Sequence, residues 1–126
     1  MPSPATTMLQ RVTDLLEGHL QQILRKERDN ENRVNLYDVG EYWVAFDRSA
    51  YLFEQLDAKA ASPVVVHLKD YPFPIVMHTA HYTRVDALCR RHVMSRRTME
   101  CLQLMTRPMD SGSYNRWYRE QVSPDA

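Results

Sequence analysis

The fold class this sequence predicts is α/β (α+β), a central mixed β-sheet flanked by helices, and three observations predict it. Residues 7–28 repeat apolar side chains at helical spacing, short β-favouring runs recur from residue 34 onward, and further amphipathic segments separate those runs. The length of 126 residues fits one domain. With 44% hydrophobic and 25% charged residues, the chain can bury an ordinary core and is neither disordered nor fibrous.

From Thr7 to about Arg28, Met8, Val12, Leu15, Leu16, Leu20, Ile23 and Leu24 form one apolar stripe of a helix. Glu27 to Arg33 is polar and of mixed charge, and reads as a solvated loop. Val34–Val39 alternates apolar and polar side chains, Gly40-Glu41 interrupts, and Tyr42–Phe46 resumes, the pattern of an antiparallel hairpin turning at Gly40. Asp47 or Ser49 then offers an N-cap to a helix carrying Ala50, Leu52, Phe53 and Leu56 and ending near Lys59. Ser62-Pro63 breaks it, and Val64–Leu68 is branched enough for a central strand buried on both faces.

Two prolines in Lys69–Pro74 make a turn before a strand at Ile75–His78. Thr83-Arg84-Val85-Asp86 follows the capping-box pattern, with Asp for the usual Glu or Gln, ahead of a helix to about Met94. Arg97–Leu104 reads as a last strand. This organisation divides into a domain at residues 1–107 and a tail at 108–126, whose Tyr114, Trp117 and Tyr118 suit a short helix docked on the body.

Lys+Arg and Asp+Glu both number 16, so no global field points to nucleic acid, membrane or acidic substrate. No apolar run reaches membrane-spanning length, and no membrane partner is expected. Cys89 and Cys101 come without a signal-peptide pattern, so reduced thiols and a cytoplasmic location are the expectation. His67, His78, His81 and His92 with the two cysteines lack paired zinc-site spacing, so no metal is expected. Gly18, Gly40 and Gly112 are isolated, which leaves no phosphate loop or dinucleotide fingerprint and no implied cofactor. With no nucleophile signature either, the sequence favours a non-enzymatic protein and assigns no catalytic residue. An enzymatic reading would rest on His78 and His81.

Local charge is more informative. Arg84, Arg90, Arg91, Arg96, Arg97 and Arg107 stand against only Asp86 and Glu100 between residues 84 and 107. Guanidinium groups at this density suit phosphate contacts, or else form a solvated face paired with Asp29 and Glu31. Tyr37, Tyr42, Trp43, Phe46, Tyr51 and Phe53 form an aromatic concentration that is mostly core. Adjacent residues of a strand point to opposite faces, so one of Tyr42 and Trp43 is expected at the surface, where it could stack on a base.

Tyr37-Asp38-Val39-Gly40-Glu41-Tyr42-Trp43-Val44-Ala45-Phe46 resembles the strand-turn-strand motif of the N-terminal mismatch-recognition domain (domain I) of the DNA mismatch-repair protein family MutS, which reads approximately hydrophobic-x-x-Gly-Asp-Phe-Tyr-Glu-x-Phe. Pro74–Val85 is similar to the family's Pro-x-x-Gly-x-Pro-Tyr-His stretch and following helix, and Thr98–Leu104 stands where the family has its closing strand. The likeness covers roughly residues 8 to 105. It implies a MutS domain I-like fold and a DNA-binding module without the ATPase. Tyr42 stands at the position of the wedging Phe and Val44 at that of the hydrogen-bonding Glu, which valine cannot replace. On this reading Tyr42 or Trp43 stacks on a base while Arg84, Arg90, Arg91, Arg96 and Arg97 hold phosphates. The alternative is a module that binds another protein or itself, with no nucleic-acid role.

Overall fold

The computed structural model describes residues 4–57, 59–60, 62–97 and 101–123. In chain order the elements are α1 (Pro4–Arg28), β1 (Arg33–Asp38), β2 (Tyr42–Phe46), α2 (Arg48–Leu56), β3 (Val64–Val66), β4 (Ile75–His81), α3 (Tyr82–Cys89), β5 (Met94–Arg97), β6 (Cys101–Met105) and α4 (Ser111–Val122). The strands form one sheet in the order β3-β4-β2-β1-β6-β5. Every pairing is antiparallel, so the α/β expectation holds in its coarse form while the sheet is not mixed. Three hairpins lie side by side: β1–β2 is central, β4 of the β3–β4 hairpin docks on β2, and β6 of the β5–β6 hairpin docks on β1.

Strand alternation sends side chains to two covered faces. On one, α1 lays Val12, Leu16 and Ile23 against Val44, Phe46, Ile75 and Met77. On the other, α2, α3 and α4 pack Leu52, Phe53, Val85, Leu88, Tyr114 and Trp117 on Val34, Leu36, Trp43, Val76, Leu102 and Leu104. The α1 stripe is the one its periodicity predicts, and the helix kinks at His19, beside Gly18, where the backbone leaves helical geometry.

The Gly40 turn forms as expected. Gly40 adopts φ +104, a conformation open to glycine, and its N–H donates to the Asp38 carboxylate at 2.8 Å. Other expectations are corrected. Residues 27–33 are a solvated loop only in part: α1 ends at Arg28 as expected and Asp29 and Glu31 are exposed in the turn that follows, but Glu27 and Asn30 are buried. Val64–Val66 is not a central strand but the sheet's edge, with Val64 exposed. Helix α2 stops at Leu56, short of Lys59, and neither Asp47 nor Ser49 caps it with a side chain.

The Asp47 carboxylate instead accepts the Val76 N–H at 3.0 Å, which holds its backbone at φ 48, and Ser49 is drawn into a buried network. Helix α3 is capped by the His81 ring, which accepts from the Thr83 N–H, and it ends at Cys89, well before Met94. Where a single strand was expected at Arg97–Leu104 there is a hairpin of β5 and β6, and residues 98–100 of the expected strand lie outside the described residues. Within 108–126, the Asp110 carboxylate caps α4 by accepting from Ser113, and Tyr114 and Trp117 are buried in the α2-side core.

A candidate binding groove

Tyr42 and Trp43 part company as alternation requires. Trp43 is 7% exposed and belongs to the core under α2 and α3, so it is unavailable for stacking. Tyr42 is half-buried on the α1 side, its ring edge-on to His81 at 5.4 Å, while Tyr82 packs on His81 from outside at 4.4 Å. These rings cluster at the sheet end marked by the β1–β2 turn, which is tied to α3 by the Tyr82 N–H donating to the Glu41 carbonyl at 2.9 Å. The turn carries the exposed acids Asp38 and Glu41, with the Arg11 guanidinium lying against Gly40. Val44, on the same strand face as Tyr42, is fully buried beneath α1.

Of the candidate arginines, Arg84 stands nearest this cluster, in the first turn of α3 two residues from Tyr82. Arg84 is held by Asp57, its Nε and Nη2 both donating to that carboxylate, which lies below the usual carboxylate range chiefly because of those bonds. Arg90 and Arg91 are exposed in the turn after α3. Arg96 and Arg97 sit on β5 and their side chains lie outside the described residues. The β1–β6 register pairs Tyr37 with Cys101 and Arg33 with Met105, so the end of β6 that carries Met105 is opposite the aromatic end. Val93, two residues past Arg91, accepts from the Met105 N–H, which puts the Arg90–Arg91 turn toward that far end and away from Tyr42.

What Arg91 does join is an open groove of about 780 Å³. One wall is α2, through Tyr51, Leu52, Gln55 and Leu56. Another is the α3–β5 turn, through Arg91, His92 and Val93, and the third is the β6–α4 connection, through Met105, Arg107, Met109 and Asp110. Tyr51 is steadied edge-on against Tyr114 and Trp117 at 5.9 and 5.4 Å. The Met105 N–H donates to the Val93 carbonyl at 2.7 Å, fixing the two connections to each other. The lining mixes apolar and polar side chains, and its Val93 is 70% exposed. The groove was invisible in the sequence because its walls come from three segments joined only by the fold; Arg91 and Arg107 were legible as part of the basic run, but Leu56, His92 and Met109 carried no local signal.

Two polar clusters lie apart from the groove. The Glu27 carboxylate accepts from Ser49 N–H and Oγ–H, both at 2.7 Å, from Asn35 Nδ2 at 3.0 Å and from Asn30 Nδ2 at 3.3 Å. Burial nonetheless raises its pKa to about 7, the hydrogen bonds opposing that rise. The cluster ties the end of α1 to β1 and the start of α2. In the second, Glu54 Oε2 lies 2.8 Å from His78 Nε2 and accepts from Trp117 Nε1 at 3.1 Å. His78 and His81 stand three apart on β4 and so point to opposite sheet faces, which keeps them from sharing a reaction centre.

Among the described residues no group of three or more His, Cys, Asp or Glu could hold a metal ion, and no helix is long and apolar enough to cross a membrane. No family model matches the chain, and comparisons with curated proteins and with solved structures returned no match.

Proposed function

We propose that this chain is a non-catalytic interaction module that binds another polypeptide in the groove between α2, the α3–β5 turn and the β6–α4 connection. The observation that carries this reading is an open groove whose lining sets apolar side chains, Leu56, Met109 and the exposed Val93, among polar and charged ones. A small ligand would leave Val93 wet, whereas a chain segment lying across the groove covers it. The DNA-binding reading is less supported, since Trp43 is buried and Tyr42 lies away from Arg90 and Arg91, while Arg84, nearer to it, is paired with Asp57.

The test is a comparison of ligands on one protein. Labelled peptides rich in Leu and Val should bind, and Val93→Asp together with Met109→Asp should abolish that binding while the circular dichroism spectrum stays unchanged. Absence of peptide binding, alongside tight binding of duplex, mismatched or single-stranded DNA that falls steeply with added salt, would return the chain to the nucleic-acid reading.

A further inference from the structure

The charges around the groove say more about its occupant, on the premise that the groove binds a polypeptide. Its lining carries the guanidinium groups of Arg91 and Arg107 and the imidazole of His92 against one carboxylate, Asp110. That carboxylate is already engaged, accepting from Ser113 N–H at 3.1 Å and Ser113 Oγ–H at 2.9 Å as the α4 cap. The other acid that feels Arg91 is Asp57, and it is committed to Arg84. The groove's own carboxylate is thus spoken for, which leaves Arg91 and Arg107 facing the groove; Glu31, exposed beside the β6–α4 connection, is an acid outside the lining, and Arg90 adds an exposed charge beside Arg91.

We infer that the groove takes an acidic segment of a partner protein, its aliphatic side chains set against Leu56, Val93 and Met109 and its carboxylates against Arg91 and Arg107. Guanidinium groups meet carboxylates with paired parallel hydrogen bonds, so they add orientation to the apolar contact. The segment lies in the groove and does not extend the sheet. β5 is the terminal strand beside it, but it has only four residues, carries a register shift between Met94 and Arg96, and bears Arg96 and Arg97. A short, irregular, charged edge resists strand addition.

The experiment uses three labelled peptides with the same Leu and Val positions whose remaining positions are all Glu, all Ser or all Lys, titrated by fluorescence anisotropy. The Glu peptide is expected to bind about tenfold tighter than the Ser peptide, an advantage that added salt erodes and the double variant R91E/R107E reverses in favour of the Lys peptide. Because both arginines line an open groove, R91A/R107A serves as a milder control and should bring the Glu and Ser peptides level. Equal binding of all three peptides, still sensitive to Met109→Asp, overturns the acidic preference and leaves the polypeptide-binding reading standing. Failure of all three to bind overturns both, and concentration-dependent self-association lost in R91E/R107E would replace the partner with a second copy of this chain.

Discussion

At the scale of single residues, two buried groups are held in settings that cost stability. The Tyr37 hydroxyl is buried with no hydrogen-bond partner among the described residues, and burial drives its pKa up. Tyr37→Phe removes the orphaned group and keeps the ring against Phe46, so it should stabilise the fold by about 1 kcal/mol, read from the denaturation midpoint. Glu27 is the second. Its carboxyl titrates near pH 7 when folded but near 4.5 when unfolded, and Asp47 is raised from 3.8 to about 6 chiefly by burial. A raised folded pKa means the unfolded chain gives up its proton first. The stability tied to these protons is fully present below about pH 4 and is lost as pH rises to about 7, with Glu27 alone accounting for roughly 3 kcal/mol. Glu27→Gln should flatten that slope in urea titrations across the window.

At the scale of elements, α4 is held by its rings. Trp117 is buried, packs on Tyr51 and donates to Glu54, so Trp117→Ala should cost about 3–5 kcal/mol in thermal or chemical unfolding. This scale also shows what a linear reading can recover. The α1 stripe and the β1–β2 hairpin were legible because period and turn chemistry are local properties. The burial of Glu27 and Asn30 was not, because they look solvated until Ser49 and Asn35, distant in sequence, arrive to satisfy them. Val64–Val66 misled for the converse reason: three branched residues suit a buried strand, yet a central strand needs a hydrogen-bonded neighbour on each side, and β3 has only β4. β5 was missed because Met94–Arg97 is short, arginine-bearing and without alternation. Of the candidate site residues, the basic run was legible and its partition between an ion pair, a groove wall and an edge strand was not.

At the scale of the whole molecule, both sheet faces are covered by helices, and both sheet edges are short strands. What surface remains for recognition is therefore set by the connections, and the groove is where two of them meet α2. Association at that groove should weaken with ionic strength without vanishing, since screening removes the guanidinium contribution and leaves apolar contact in place. The order of the strands also has a kinetic meaning. The central ribbon closes between near neighbours in sequence, whereas joining β6 to β1 requires the ends of most of the chain to meet. A folding nucleus built on the ribbon would then recruit β6 late. Leu104→Ala should chiefly accelerate unfolding and Val44→Ala should chiefly slow folding in stopped-flow chevrons, which would make the seam between β1 and β6 the line along which the native state first comes apart.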